Sequence, residues 1–464
     1  MTHTAVDSVV VGIADQPAAR RGSTRRGSAR RTGSGRIAGV LLGMTLVALT
    51  AACTATPNAG SSAGPSTGPT PSPLVSIPAA YTPVTVQQLG SPTLPFKGSD
   101  GRYHVVYDLQ LTNASAVPAD IQKVDVLDSA HRATPLASFS GKALVDPGCD
   151  YGNCNRLRLL PSKPATDTVI PAQQARALLV DFELQSLAGA PKIVVHRLQI
   201  TGAANPGAKE PTPMTYLAGP INVSAGSARV IAPPVGGTNW VAMNGCCQIG
   251  LPHVPSLQPF SGTLANSQRF AIDWVRLDDN GAFYSGDKTK NDSYFSYGQN
   301  ILAVADGTIS STLDTLAANT PGILPASDPE AAKTLTVENV DGNHIVENLG
   351  GGVWAMYAHL QKGSLLVKPG DKVHAGQVIA KLGNTGNSNA AHLHFQLMDG
   401  PNLVGSDGVP YVVRNFDYAG FVTAQRMLNS DFYFTGTFFE NHLSATQPRS
   451  NELPLAGSIV NFTG

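Results

Sequence analysis

The chain has 464 residues, enough for about three folding units at roughly 150 residues each. Its 32 Lys and Arg balance 32 Asp and Glu, only 14% of residues are charged, and Gly (47) and Pro (34) are abundant. This composition excludes coiled coils, helical bundles and the basic face of a nucleic-acid-binding protein, and it suits β-rich structure with many turns.

The zero charge is an average over unlike parts. In residues 1–52, seven Arg (Arg20, Arg21, Arg25, Arg26, Arg30, Arg31 and Arg36) stand against Asp7 and Asp15, a net of +5, so residues 53–464 sum to −5. An apolar run from Ile37 to Ala52 follows and closes on Leu49-Thr50-Ala51-Ala52-Cys53. A basic segment, a short apolar run and small residues before a cleavage point read as a secretory signal, and the run is short for a spanning helix. The ending resembles a bacterial lipobox. That resemblance implies that Cys53 becomes the lipidated first residue of an exported chain, anchored to the outer face of the cell membrane. Two acyl chains on Cys53 would anchor stably where one would not. The Arg pairs suggest twin-Arg export, but the polar-apolar pattern expected after the pair is missing. Beyond Cys53, residues 53–79 are rich in Pro, Ser, Thr and Gly and nearly uncharged, so they cannot bury a core and read as a tether.

Residues 80–220 form the first expected folded unit. Tyr103 to Leu111 alternates apolar and polar residues, the pattern of a half-buried strand, and Asn113-Ala114-Ser115 marks a turn after it. Ala175–Phe182 and Ile193–Leu198 read as further strands. Short strands separated by turns predict a β-sandwich-like domain. No catalytic constellation occurs in it, and His104, His131 and His196 are dispersed, as structural or surface histidines are. Cys149 and Cys154, five apart in a Gly-containing loop, most simply form a disulfide in an exported chain. The adjacent Cys246 and Cys247 are either a vicinal disulfide or free thiols.

Residues 221–464 carry the chemistry. His392 and His394 lie at i and i+2 of a strand pattern, so both face one side. Before them stand GNTGNS at 383–388, VKPGDKVHAGQ at 367–377, YAHL at 357–360, LAVADGTI at 302–309 and AID at 271–273. The Gly-separated segments around 367–388 predict a compact, hairpin-built β structure. They also look like the hairpin of biotinyl or lipoyl carriers, but those present a Lys commonly next to Met, and no Met-Lys pair occurs here.

In this order and spacing, over a core of 265–400, the blocks resemble the lysostaphin/LytM-type zinc metallopeptidases, which cleave peptide cross-links of bacterial cell walls. The resemblance implies a C-terminal LytM-like antiparallel β domain in a mainly β chain. It implies Zn²⁺ as cofactor, peptidoglycan peptides as substrate, Asp273 and His394 as metal ligands, and His359 and His392 as catalytic histidines. Zinc with three protein ligands keeps an open position and lowers the pKa of water there to about 7. Two unligated histidines can then move protons and stabilise an oxyanion.

The family's remaining ligand is a His four residues before the Asp. Here that position holds Arg269, which cannot bind a cation. Two readings stay open. Either the domain is catalytically degenerate and binds peptidoglycan or regulates a partner hydrolase, or another His completes the site. His253 is the leading candidate for that ligand, ahead of His344 and His374. Tyr357 reads as core packing ahead of an oxyanion contact. Asp306 reads as a turn residue, and Asp278, Asp279 and Asp287 as parts of a solvated loop.

Overall fold

The computed structural model describes residues 75–149, 153–428 and 437–463. The expected signal, Cys53 and residues 53–74 of the tether lie outside the described residues. Among the described residues, no helix is long and apolar enough to cross a membrane.

Two antiparallel sheets are built from residues 84–222. One runs Val84–Leu89, Tyr103–Asn113, Ala175–Leu184, Leu157–Leu159 and Lys163–Pro164. The other runs Thr212–Asn222, Ile193–Gly202, Ala119–Asp128 and Ala137–Ser140. Their facing sides share one apolar core, with Val105, Leu109, Leu111 and Val180 from the first sheet and Ile121, Val126, Leu198 and Ile200 from the second. Alternation of this kind puts every second residue into a sandwich core. Cys149 and Cys154 are joined by a disulfide with a Cα–Cα distance of 6.2 Å.

Tyr103–Asn113 departs from the half-buried expectation: it is buried on both faces. Its odd positions fill the sandwich core, while His104, Val106 and Asp108 point the other way and are also buried. The reason is tertiary. That second face docks on the C-terminal unit, where Val106 joins the other hydrophobic core and Phe96 meets Phe270 edge to face at 5.5 Å. Asn266 Nδ2 donates to Asp108 Oδ2 at 2.9 Å. Alternation reports which residues share a face, not whether the polar face stays wet.

The C-terminal unit is built around one large sheet. Its strands lie in the order Arg229–Ile231, Tyr411–Phe421, Ser458–Phe462, Gly237–Met243, Ile272–Arg276, Leu393–Met398, Trp354–Ala358, His344–Asn348, Gly307–Leu313 and Lys372–Val373. Neighbours are antiparallel except Arg229–Ile231 beside Tyr411–Phe421. The stretch after residue 415, outside the family resemblance, is part of this sheet: Ser458–Phe462 pairs with Gly237–Met243. Trp240, Trp274, Tyr357, Phe395 and Tyr411 are fully buried in its core. Trp and Tyr carry the largest apolar area per residue, so this cluster dominates the burial that holds the sheet.

The hairpin expected in 367–388 forms differently. Lys372–Val373 pairs with Gly307–Leu313, and Val378–Lys381 pairs with Asn300–Leu302. Ala303 bridges the two connections, donating to the Gln377 carbonyl at 2.9 Å and accepting from Gly376 N at 2.8 Å. Gly376, at φ 84°, makes the turn that sends the second strand away from the first.

Candidate metal and catalytic site

The central strands of the large sheet set the site. Asp273 sits opposite His394 on the neighbouring strand, and His394 sits opposite Ala358 on the next. Antiparallel partners have Cβ atoms only about 5 Å apart, so backbone register alone brings the Asp carboxylate to the imidazole. Asp273 Oδ1 lies 2.8 Å from His394 Nδ1. His394 Nε2 lies 2.9 Å from Gln396 Oε1, two residues further along the same face. The protonated ring donates through Nδ1–H to Asp273 and through Nε2–H to Gln396, and loss of the Nδ1 proton would leave that nitrogen to a metal shared with Asp273.

His253 enters from the loop that precedes Ile272–Arg276. It is buried (5% exposed), its Nδ1 lies 3.1 Å from the Ala271 carbonyl, and its Nε2 lies 3.3 Å from Asp273 Oδ2. Its ring meets that of His394 edge to face, centroids 4.9 Å apart. One ligand atom from each of His253, Asp273 and His394 lies within 4.8 Å of the other two.

This donor set fits a zinc ion. It offers two imidazole nitrogens and one carboxylate, a common combination in zinc sites that keep an open position. Each imidazole has its other nitrogen on an oxygen acceptor, Ala271 O for His253 and Gln396 Oε1 for His394, as metal-ligating histidines almost always do. Asn244 adds a further restraint, with Nδ2 donating to Asp273 Oδ2 at 2.7 Å. Burial alone would raise the Asp273 pKa, but the imidazoles around it hold the carboxyl well below the usual range. Burial is the largest influence on His394 and lowers its pKa, but the bond and charge of Asp273, the charge of Asp341 and the bond to Gln396 together outweigh it and raise the pKa.

His359 and His392 flank this cluster. His359 follows the strand Trp354–Ala358 at φ 63°, a left-handed conformation that non-Gly residues rarely adopt. Two bonds hold it there: its backbone N donates to Asp341 O at 3.0 Å, and its Nδ1 donates to Thr385 O at 2.8 Å. His392 Nδ1 donates to Ala390 O at 2.8 Å, and its Nε2 lies 3.5 Å from Asp273 Oδ1. The two rings sit 4.7 Å apart. Burial pushes both pKa values down, that of His359 well below the ordinary histidine range.

Arg269 is buried and paired with Asp108 on the sandwich strand Tyr103–Asn113. Burial lowers its pKa to about 9, with Asp407 opposing the shift. The side chain at the expected ligand position therefore joins two units of the fold and takes no part in the donor cluster.

The other residues weighed from sequence lie elsewhere. His344 is buried with Nδ1 on Gly342 O at 2.9 Å, and His374 is exposed beside Asp306. Tyr357 is a core residue whose hydroxyl donates to Glu347 Oε2 at 2.6 Å and accepts from Val304 N at 2.8 Å. Asp306 accepts from Ala375 N at 3.0 Å in a turn. Asn244, Gln396 and Thr385 were not singled out from sequence. Gln396 carried a usable signal, since i+2 from His394 on a strand is the same face. Asn244 and Thr385 carried none, because loops bring them in.

Fold and site together define a β-scaffolded His/Asp cluster with two further histidines beside it. In comparison with known proteins, residues 291–405 match the model of peptidase family M23, an M23 domain toward the C-terminus of the chain. A segment is 44% identical over 57 residues to the peptidoglycan DD-endopeptidase ShyA of Vibrio cholerae, covering 12% of this chain and 13% of that protein. Another match is 47% identical over 58 residues to the glycyl-glycine endopeptidase ALE-1 of Staphylococcus capitis, covering 12% of this chain and 16% of that protein. The chain thus spans well under a fifth of the length of these curated relatives. Among solved structures, the catalytic domain of lysostaphin from Staphylococcus simulans aligns at 20% identity and a TM-score of 0.21, covering 38% of this chain and 88% of that one. The matched M23 segment contains His359, His392 and His394, and it begins after both His253 and Asp273.

Proposed function

We propose that this protein is a zinc-dependent endopeptidase of peptidoglycan peptides. The observation that carries the reading is the convergence of His253, Asp273 and His394 on one point, with His359 and His392 beside it. When bound, zinc supplies Lewis acidity and a lowered water pKa. His253, Asp273 and His394 hold the ion. His359 and His392 each have Nδ1–H committed to a backbone carbonyl, which leaves Nε2 free for proton transfer. One can take the proton of the attacking water, and the other can donate toward the carbonyl oxygen or the leaving amine. Arg269 was the ground for the degenerate, wall-binding alternative. Its pairing with Asp108, together with the position of His253, leaves that alternative without its motivating feature.

The substrate class is supported by the peptidoglycan endopeptidases that the chain resembles. Export and anchoring belong to the same proposal. Residues 1–52 act as the signal, Cys53 carries the lipid, and the tether to residue 79 holds the folded units off the outer face of the membrane. Metal analysis of the purified chain should find about one zinc. His394→Ala should lose both zinc and the release of muropeptides. His359→Ala should retain zinc and lose about 10²–10⁴-fold in turnover. A metal-free, inactive wild type would refute the proposal.

A further inference from the structure

We propose that the Cys246–Cys247 disulfide is a positioning element of the metal site, and that its reduction by a dithiol weakens zinc binding. The inference rests on the zinc-site reading above.

Both groups that approach Asp273 Oδ2 come from the two ends of segment 244–253. Asn244 donates to it from one end at 2.7 Å, and His253 Nε2 lies 3.3 Å from it at the other. The vicinal disulfide lies between them. It is anchored on both sides. Cys246 is fully buried in the core of the large sheet, and its carbonyl accepts from Ala456 N at 2.8 Å. Gly245 packs beside the same elements, since a Cβ there would be in ordinary contact, 3.4 Å from both Ala456 N and Ile272 Cγ1. Cys247 is partly exposed, and its sulfur lies within 4.8 Å of a ring nitrogen of His104 and a carboxylate oxygen of Asp181, both from the sandwich. The segment therefore has its conformation set by a two-residue covalent ring at the junction of the two units.

Exposure directs the chemistry. A thiolate of the dithiol attacks Cys247 Sγ, forms a mixed disulfide and expels Cys246 as a thiolate, which takes up a proton. The second thiol of the reductant then attacks the reductant's own sulfur in the mixed disulfide. That step closes the reductant's disulfide and releases Cys247. Two electrons pass from the dithiol to the protein, and two thiols form. His104 favours the product at Cys247. Burial lowers its pKa, but bonds to Asp100 and Asp181 outweigh burial and raise it to about 9, so a cation faces the new sulfur. With the ring opened, segment 244–253 gains backbone freedom, and Asn244 and His253 lose their fixed placement. Disturbing groups that orient metal ligands typically costs 10–100-fold in affinity.

The test uses the full chain carrying Cys149→Ser and Cys154→Ser, so that Cys246 and Cys247 are the only disulfide reduced. The protein is treated with a dithiol, desalted anaerobically and assayed for new thiols. Zinc affinity is then measured by competition with a chromogenic chelator, and the visible spectrum of the cobalt-loaded protein reports the ligand set. Two new thiols should accompany a 10–100-fold loss of zinc affinity and a changed cobalt spectrum. Cys246→Ser/Cys247→Ser should show the same loss without reductant and no further response to it. If that variant fails to fold, the reduced chain carries the test alone. Two new thiols with zinc affinity unchanged within twofold would overturn the proposal and leave the metal site standing. An oxidised chain that binds no zinc would overturn the metal site, and this inference with it.

Discussion

His253→Ala is the sharpest perturbation of the site. His253 is 5% exposed, with one nitrogen 3.1 Å from the Ala271 carbonyl and the other 3.3 Å from Asp273 Oδ2. Zinc bound by four protein ligands yields about 10–16 kcal/mol, or roughly 3–4 kcal/mol per ligand. Losing one ligand should therefore weaken zinc binding by about 10²–10³-fold, at 1.4 kcal/mol per decade. The substitution also leaves the Ala271 carbonyl without its donor, which costs about 1–3 kcal/mol of folding stability. The two effects separate experimentally. Competition with a chromogenic chelator gives zinc affinity, and urea unfolding of the metal-free protein gives stability. Adding Arg269→His should not restore zinc binding, because a side chain at 269 is directed to Asp108 on the sandwich. If His253→Ala binds zinc within threefold of wild type, His253 is not a ligand. If Arg269→His restores binding in that background, the structural role assigned to Arg269 is wrong.

Arg269→Ala strips a buried Asp108 of its cationic partner and should destabilise the fold by about 3–5 kcal/mol in urea unfolding, whereas Arg269→Met with Asp108→Leu should recover most of that loss. Gln396→Ala removes the acceptor that orients His394, so zinc affinity should fall about 10–100-fold while the unfolding midpoint moves little. His104 makes stability depend on pH. Its folded pKa of about 9 lies above the ordinary 6.5, so its contribution is complete below about pH 6.5 and is lost as pH rises through 9. The shift corresponds to something on the order of 3 kcal/mol. Unfolding free energies at pH 7 and pH 10 should show this loss, and His104→Gln should flatten it.

Much of this protein is legible along the chain, wherever backbone periodicity alone dictates a face. Alternation in Tyr103–Leu111 marks a strand, and His392 and His394 at i and i+2 mark a shared site. The ordered Gly-rich and His-containing blocks mark the M23 domain. Tertiary structure decided what no local period encodes. Asp273 reaches His394 through cross-strand register, between residues 121 apart in the chain. His253 reaches the same point from an irregular loop, where residue spacing says nothing about direction. Arg269 could be read from sequence only as a missing ligand, because its partner Asp108 lies on another unit and looked like the solvent-facing half of an alternating strand. The same docking buried that polar face. The physical reason is that a strand's period of two assigns residues to faces and a loop has no such period, while what any face or loop meets is settled only when the chain packs.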